Sequence, residues 1–241
     1  INKEKSISLL DALEDFGVEY NKSLTKEYEK LWSTVDLTAK NNPDDYKLYQ
    51  PTDTWHKSRI DQCKEYSDTA IFVISRVGGE NIGEIPLRQD LVTQLGAESD
   101  STRTYLELTK YEEKIIDLLD ENFSNVILLI NSCNNMHLGK VASDKVDSCL
   151  YVGITGQSGA AAIPSVLYGF KDQNGERTIY SPSGKLTDTY TYSPTFAASF
   201  KNNEKINSHI QYVEDIYFGY KWYETADTEG YWDEVNNQYG T

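Results

Sequence analysis

Hydrophobic positions along the chain follow two different spacings. In SISLLDALEDFG, Ile7, Leu10 and Leu13 recur at the spacing of a helix, and Gly17 stands where that helix would end. SLTKEYEKLWSTV repeats this pattern and predicts a second helix, with VEY between the two as a short strand. Three later stretches lack the helical period and are almost continuously apolar, which is typical of strands buried in a parallel sheet.

These three strands are predicted in DTAIFVISR, NVILLINS and SCLYVGI. Between the first two, LTKYEEKIIDLLDENF predicts a helix, because Thr109 and Glu112 form the sequence pattern of a capping box. The alternation of strands and helices predicts an α/β domain, a three-layer sandwich whose mainly parallel sheet is flanked by helices. Sheets of this kind bind ligands at the carboxyl ends of their strands.

Three regions between these elements carry turn residues. Residues 40–60 are polar with two prolines and predict a long loop, and the chain after Gly169 predicts an exposed excursion rich in tyrosine. The glycines of GITGQSGA match neither G-x-x-x-x-G-K-[ST] nor G-x-G-x-x-G. This loop therefore predicts a tight turn from strand to helix rather than a phosphate site, with Pro164 in the first turn of the helix.

Charge and composition narrow the set of partners. The net charge of the 241 residues is −15 at pH 7 without a basic patch, so a nucleic-acid partner is not expected. No apolar run approaches the roughly 18–20 residues of a membrane span, so a membrane is not expected either. The three histidines lack the spacing of metal ligands, and the sequence predicts no metal and no cofactor. Low cysteine usage leans toward the cytoplasm without excluding secretion from a bacterium.

Five stretches that follow one another in the chain resemble the α/β sandwich domain of family-three glycoside hydrolases, the β-glucosidase and β-xylosidase family. They run from about Thr69 to Ala226 and comprise DTAIFVISRVGGE, YLELTKYEEKIIDLLDENFSNVILLINSCNNMHLG, YVGITGQSGAAAIPSVLYG, SPSGKLTDTYTYS and EDIYFGYKWYETA. The resemblance implies a retaining mechanism with two carboxylates about 5–5.5 Å apart. It also implies that the nucleophile is an aspartate on a separate (β/α)8 barrel, of which this chain holds no segment.

The resemblance places the general acid/base at Glu80, which follows two glycines after the first buried strand. Two glycines let the backbone turn sharply and approach a neighbouring domain or a ligand. The stretch ENIGEIP departs from the family pattern, because Asn81 stands where the family has glycine. This departure leaves Glu84 as the alternative acid/base. The substrate-binding residues are not identified.

By the same resemblance, residues 1–241 form a single α/β sandwich domain without its usual first strand, and residues 215–241 lead toward a following domain. The catalytic barrel is absent, so the isolated chain is expected to be inactive, and its partners are that barrel and a β-linked glucoside or oligosaccharide. The expected activity is the removal of terminal β-D-glucosyl residues by a β-glucosidase. A β-xylosidase of the same family and a non-catalytic carbohydrate-binding module are the alternatives.

Overall fold

The computed structural model describes residues 5–34, 47–48, 51–76, 78, 93–94, 100–139, 145–179, 181–182, 184–191, 196–199, 212 and 214–233. The chain forms two compact units, which are Ile1–Met136 with Lys140–Lys185 and His137–Gly139 with Leu186–Thr241. The strands of the first unit are β1 (Lys47–Leu48), β2 (Thr69–Arg76), β3 (Thr93–Gln94), β4 (Asn125–Ser132), β5 (Ser148–Tyr151), β6 (Phe170–Lys171) and β7 (Arg177–Thr178). Its helices are α1 (Leu9–Phe16), α2 (Lys22–Ser33), α3 (Asp53–Lys57), α4 (Ile60–Tyr66), α5 (Lys110–Asp120), a 3-10 helix (Gly159–Ala162) and α6 (Ile163–Tyr168).

A parallel sheet of three strands, in the order β2-β4-β5, is the centre of the first unit. Its register pairs Thr69 with Asn125 at one end of β2 and Arg76 with Ser132 at the other, and Ile127 pairs with Ser148. The three strands predicted from their apolar runs are therefore confirmed. Because all three run in the same direction, their carboxyl ends lie at one edge of the sheet. Separate pairs are formed by β1 with β3, in parallel, and by β6 with β7 as an antiparallel hairpin.

Alternating side chains of the sheet face two different helical layers. On one face, Leu129 packs with Ala160 of the 3-10 helix and Ile163 of α6, and helix α1 covers the same two elements. On the other face lie Phe72, Ile74, Leu128 and Ile130, and α5 contributes the fully buried Ile115 and Ile116. Helices on both faces of a parallel sheet confirm the predicted α/β sandwich. The helical cover over β2 is incomplete, since Val73 is 36% exposed.

Local capping residues fix the ends of two predicted helices. Ser8 caps α1 in a capping box with Asp11, and Gly17 ends this helix in the left-handed conformation with φ 81°. Thr109 caps α5 in the same manner with Glu112. Helix α1 ends directly before Gly17 and α5 begins directly after Thr109, as the sequence predicts, whereas α5 ends at Asp120, three residues before the end of the predicted stretch.

Two expectations about local structure are wrong. The stretch VEY, residues 18–20, forms no strand, and the predicted loop over residues 40–60 contains helix α3. Thr52 caps α3 by accepting a hydrogen bond from the Trp55 amide, 3.3 Å away. The indole of Trp55 packs on Tyr28 of α2, with ring centroids 4.7 Å apart. A short polar helix is thus stabilised by a contact between residues far apart in the sequence.

The second unit contains helix α7 (Tyr220–Thr228) and is held by its own aromatic contacts. Trp222 Nε1 donates to the Phe196 carbonyl at 2.7 Å, and Trp232 Nε1 donates to the Tyr223 carbonyl at 3.1 Å. The rings of Tyr223 and Trp232 stack at 5.8 Å. Trp222, Tyr223 and Trp232 therefore take part in contacts within this unit, whereas Tyr217, Phe218 and Tyr220 are exposed. Among the helices that the structure describes in either unit, none has the length and apolar content needed to cross a membrane.

Candidate active site

The candidate acid/base residues Glu80 and Glu84 both lie outside the described residues. The structure does describe the strand end that precedes these residues in the sequence. Strand β2 ends at Arg76, at the carboxyl edge of the sheet, and Gly78 follows it. The chain is described again from Thr93 to Gln94 and then from Asp100 into helix α5.

Arg76 is a buried cation in which every N–H of the guanidinium donates a hydrogen bond. Nε donates to the Tyr105 carbonyl at 2.9 Å, and Nη2 donates to the Glu107 carbonyl at 3.0 Å. Nη1 donates to the Ser75 carbonyl at 3.1 Å. The two remaining donors form a bidentate pair with Glu112, at 2.8 and 2.6 Å. An arginine has five N–H donors, so none is left unsatisfied in this desolvated position.

Glu112 serves two structural roles with the same carboxylate. Its Oε2 accepts from the Thr109 amide at 2.7 Å, which closes the capping box of α5, and both oxygens bind Arg76. Both side chains of the pair are only 1% exposed. A pair this deeply buried is favourable only when geometry and additional hydrogen bonds offset the loss of hydration, and here both conditions hold.

A second, more exposed ion network lies in the segment before α5. Arg103 donates to the Leu108 carbonyl at 2.7 Å and pairs with Glu113, also at 2.7 Å. Asp100 accepts from the Thr102 amide and hydroxyl at 2.9 and 2.6 Å, and its Oδ2 lies 3.0 Å from Lys110 Nζ. Burial raises the pKa of Asp100, but the bonds from Thr102 and Lys110 outweigh it and bring this pKa down to about 2.

Gly78 lies against the loop that follows β4. A Cβ at residue 78 would stand 2.2 Å from Asn134 Nδ2 and 3.0 Å from Cys133 Sγ, so a side chain there would collide with both. The first glycine of the VGGE stretch is thus needed for close approach to a neighbouring loop of the same unit.

The loop Cys133–Asn134 is itself fixed to the sheet. Ser132 Oγ accepts from the Asn134 amide at 2.9 Å and donates to the Asn134 carbonyl at 3.1 Å. The hydroxyl of Tyr151, at the end of β5, donates to the same carbonyl. The carboxyl ends of all three strands therefore meet around Asn134. The sequence analysis did not identify Asn134 as the residue at which these strand ends meet.

Two of the three histidines lie in the described part of the chain, and each binds residues of its own unit. His56 Nδ1 lies 2.9 Å from the Thr52 carbonyl, which only accepts, so Nδ1 carries the proton and Nε2 accepts from the Tyr28 hydroxyl at 2.7 Å. Burial lowers the pKa of His56, in keeping with a neutral structural side chain. His137 binds the carbonyl and hydroxyl of Thr191 in the second unit. His209 lies outside the described residues.

The part of the chain that the structure describes contains no group of three His, Cys, Asp or Glu side chains arranged for a metal ion.

The glycine loop after β5 makes the predicted turn from strand to helix. Gly153 and Gly156 have φ of 62° and 64°, in the left-handed region, and the 3-10 helix and α6 follow, with Pro164 in the first turn of α6.

A parallel sheet between two helical layers makes the first unit an α/β sandwich. The chain belongs to glycosyl hydrolase family 3, whose C-terminal domain it matches over residues 2–220.

Several relatives within this family are β-glucosidases. The chain is 30% identical to a β-glucosidase of Ruminococcus albus over 232 residues, which cover 93% of this chain and 21% of that protein. It is 31% identical to β-glucosidase A of Butyrivibrio fibrisolvens over 191 residues, covering 73% of this chain and 21% of that protein. The chain thus spans about a fifth of the length of these curated relatives.

A solved structure shares the fold. β-Glucosidase 3B from Thermotoga neapolitana, in complex with glycerol, superposes with a TM-score of 0.66 at 24% identity. The superposition covers 92% of this chain and 28% of that one. At this identity the likeness establishes the fold alone.

Proposed function

We propose that this domain supplies the general acid/base of a retaining β-glucosidase and that Glu80 is that residue. The observation that carries the proposal is that β2 ends at the carboxyl edge of a parallel sheet, where ligands of such sheets bind, and that VGGE directly follows β2 in the sequence. Family membership and the β-glucosidase relatives support the reaction class. Glu84 is the alternative residue.

In this proposal Glu80 donates a proton to the glycosidic oxygen while the C1–O bond breaks and an aspartate of the barrel bonds to C1. The leaving alcohol departs neutral. Glu80, now a carboxylate, takes a proton from water as the water oxygen attacks C1 and the aspartate is released. Glu80 must remain protonated near the working pH, so the proposal requires a raised pKa for Glu80, which partial burial at a domain interface would supply.

The nucleophile belongs to a separate (β/α)8 barrel in this proposal, so the isolated chain hydrolyses no glycoside. The proposed substrate is the terminal β-D-glucosyl residue of an oligosaccharide, because the relatives are named β-glucosidases. A higher kcat/KM for aryl β-xylosides than for aryl β-glucosides would replace the glucosidase assignment with a xylosidase.

The test uses the full polypeptide, with barrel and this chain together, carrying Glu80→Ala or Glu84→Ala. We expect Glu80→Ala to lower kcat on an aryl β-glucoside by at least 100-fold, in line with loss of a general acid/base that contributes about 10²–10⁴-fold. Azide, a nucleophile that needs no general base, restores part of the turnover. Glu84→Ala is the matched control and keeps most activity. Loss and azide rescue in Glu84→Ala alone would move the role to Glu84.

A further inference from the structure

We propose that the open edge of strand β2 binds an extended apolar segment of the same polypeptide from outside residues 1–241, which adds a strand to the sheet. Among the described residues, β2 pairs only with β4. The other edge of β2 therefore presents backbone N–H and C=O groups to which a further strand can pair. Main-chain hydrogen bonds to an open sheet edge are a recurring way in which proteins bind an extended segment. The inference does not depend on which glutamate is the acid/base.

A groove of about 550 Å³ runs along this edge. Consecutive residues of β2, from Thr69 to Val73, line it. Because successive side chains of a strand point to opposite faces of the sheet, consecutive residues line one groove only where the groove follows an edge of the strand. The pairing with β4 occupies one edge, so the groove lies along the other. Residues 69–73 of a strand span about 16 Å, which is the length of an ordinary strand.

Both helical layers of the first unit contribute walls to the groove. Ile71 lines it together with Leu9 of α1, on one face of the sheet. Phe72 lines it together with Ile115 of α5, on the other face. A strand added along this edge would therefore bury its side chains on both faces. The segment that fits is a near-continuous apolar run, the pattern of a strand covered on both sides.

Helix α2 forms a further wall and has an apolar stripe that is incompletely covered. Leu24, Tyr28 and Trp32 follow one another at intervals of four residues and line the groove, yet none of the residues of α2 is buried. A helix with such a stripe ordinarily buries it against the core. Four large apolar side chains that line the groove are at least 36% exposed: Leu10, Trp32, Tyr66 and Val73.

Two observations favour a segment of the same polypeptide over a second copy of this chain. The β2 edge of a second copy carries the same helices on both sides, and these would collide with the helices that line the groove. The chain covers 21% of each of two curated relatives, so a whole protein of that length holds about four fifths of its residues outside this chain. A segment joined to the domain by the chain itself also binds at a high effective concentration.

The experiment places the photo-crosslinking residue p-benzoylphenylalanine at position 32 of the full polypeptide, where it replaces the aromatic side chain of Trp32. After irradiation and proteolysis, mass spectrometry identifies the joined peptides. We expect one crosslinked peptide from outside residues 1–241, with a near-continuous apolar run, and no increase in the mass of the polypeptide. Tyr66, at a second position on the groove, is expected to give the same peptide and replaces Trp32 if that variant does not fold.

The control places the same photo-crosslinking residue at Asn174, which is exposed and does not line the groove. We expect this variant not to capture the peptide that positions 32 and 66 capture. Crosslinks only within residues 1–241, or none at either groove position, would overturn the inference. A crosslinked species of doubled mass would overturn it in favour of a second copy. Capture of the same peptide from Asn174 would also overturn it, because the groove would not be needed.

Discussion

Gly78 and Asn134 are in such close contact that a methyl group on residue 78 would stand 2.2 Å from Asn134 Nδ2. The contact joins the residue that follows β2 to the loop that follows β4. The backbone amide and carbonyl of Asn134 are held by Ser132, and the carbonyl also by Tyr151, whereas the colliding Nδ2 lies at the end of its side chain. A side chain at residue 78 would force the side chains of Asn134 and Cys133 to move, so packing favours glycine here.

We expect Gly78→Ala to lower the free energy of unfolding by about 1–3 kcal/mol, the usual cost of overfilling a packed site. Asn134→Ala removes the closest colliding atoms and leaves only Cys133 Sγ at 3.0 Å. We therefore expect Gly78→Ala to cost less in the Asn134→Ala background than in the wild type. Urea denaturation of the four proteins measures the coupling. Strictly additive effects would show that the two side chains do not compete for space.

Because Glu112 is paired with Arg76 in the core, we expect its removal to destabilise the protein far more than removal of its neighbour Glu113. Glu112→Ala leaves Arg76 as an unpaired buried cation and opens the capping box, so we expect a loss of about 3–5 kcal/mol. Glu113→Ala breaks the pair with Arg103, in which both side chains are more than 20% exposed, and we expect about 0–1 kcal/mol. Chemical denaturation measures both. Similar losses for the two variants would contradict the assigned burial.

The lowered pKa of Asp100 predicts that the protein loses stability as the pH falls below about 4. The folded pKa is about 2, below the ordinary value of 3.8, so the unfolded chain takes up the proton first as pH falls. The stability that Asp100 contributes is fully present above pH 4 and is lost between about pH 4 and pH 2. Asp100→Asn keeps an acceptor for Thr102 but lacks the charge. The difference in the free energy of unfolding between the wild type and this variant is therefore expected to shrink as the pH falls from about 4 to about 2. A difference that stays constant from pH 5 to pH 2 would contradict this.

The elements that the sequence predicts correctly are those with strong local patterns. The three parallel strands follow from apolar runs, and α1 and α5 follow from Ser8 or Thr109 caps placed before an amphipathic face. Helix α3 was missed because it has only five residues, most of them polar, and because Trp55, its one large apolar residue, packs on Tyr28 of another helix. The strand predicted at VEY had apolar residues but no neighbouring strand with which to pair among the described residues.

The arrangement at the carboxyl edge of the sheet depends on pairings that no short motif encodes. An arginine at the end of an apolar strand gives no indication that its partner is Glu112, which is 36 residues away. The contact of Gly78 with Asn134 likewise requires the register of β2 against β4. The catalytic assignment of Glu80 came from a family resemblance, and it stays a prediction because this residue lies outside the described part of the chain.

The most direct test of the central claim is the configuration of the product when azide rescues Glu80→Ala in the full polypeptide. The variant is incubated with 2,4-dinitrophenyl β-glucoside and azide, and the glycosyl azide is identified by proton NMR. If Glu80 is the acid/base of a retaining enzyme, azide attacks the covalent glycosyl intermediate and the product is the β-glucosyl azide. An α-glucosyl azide, or rescue without any glycosyl azide, would contradict the account.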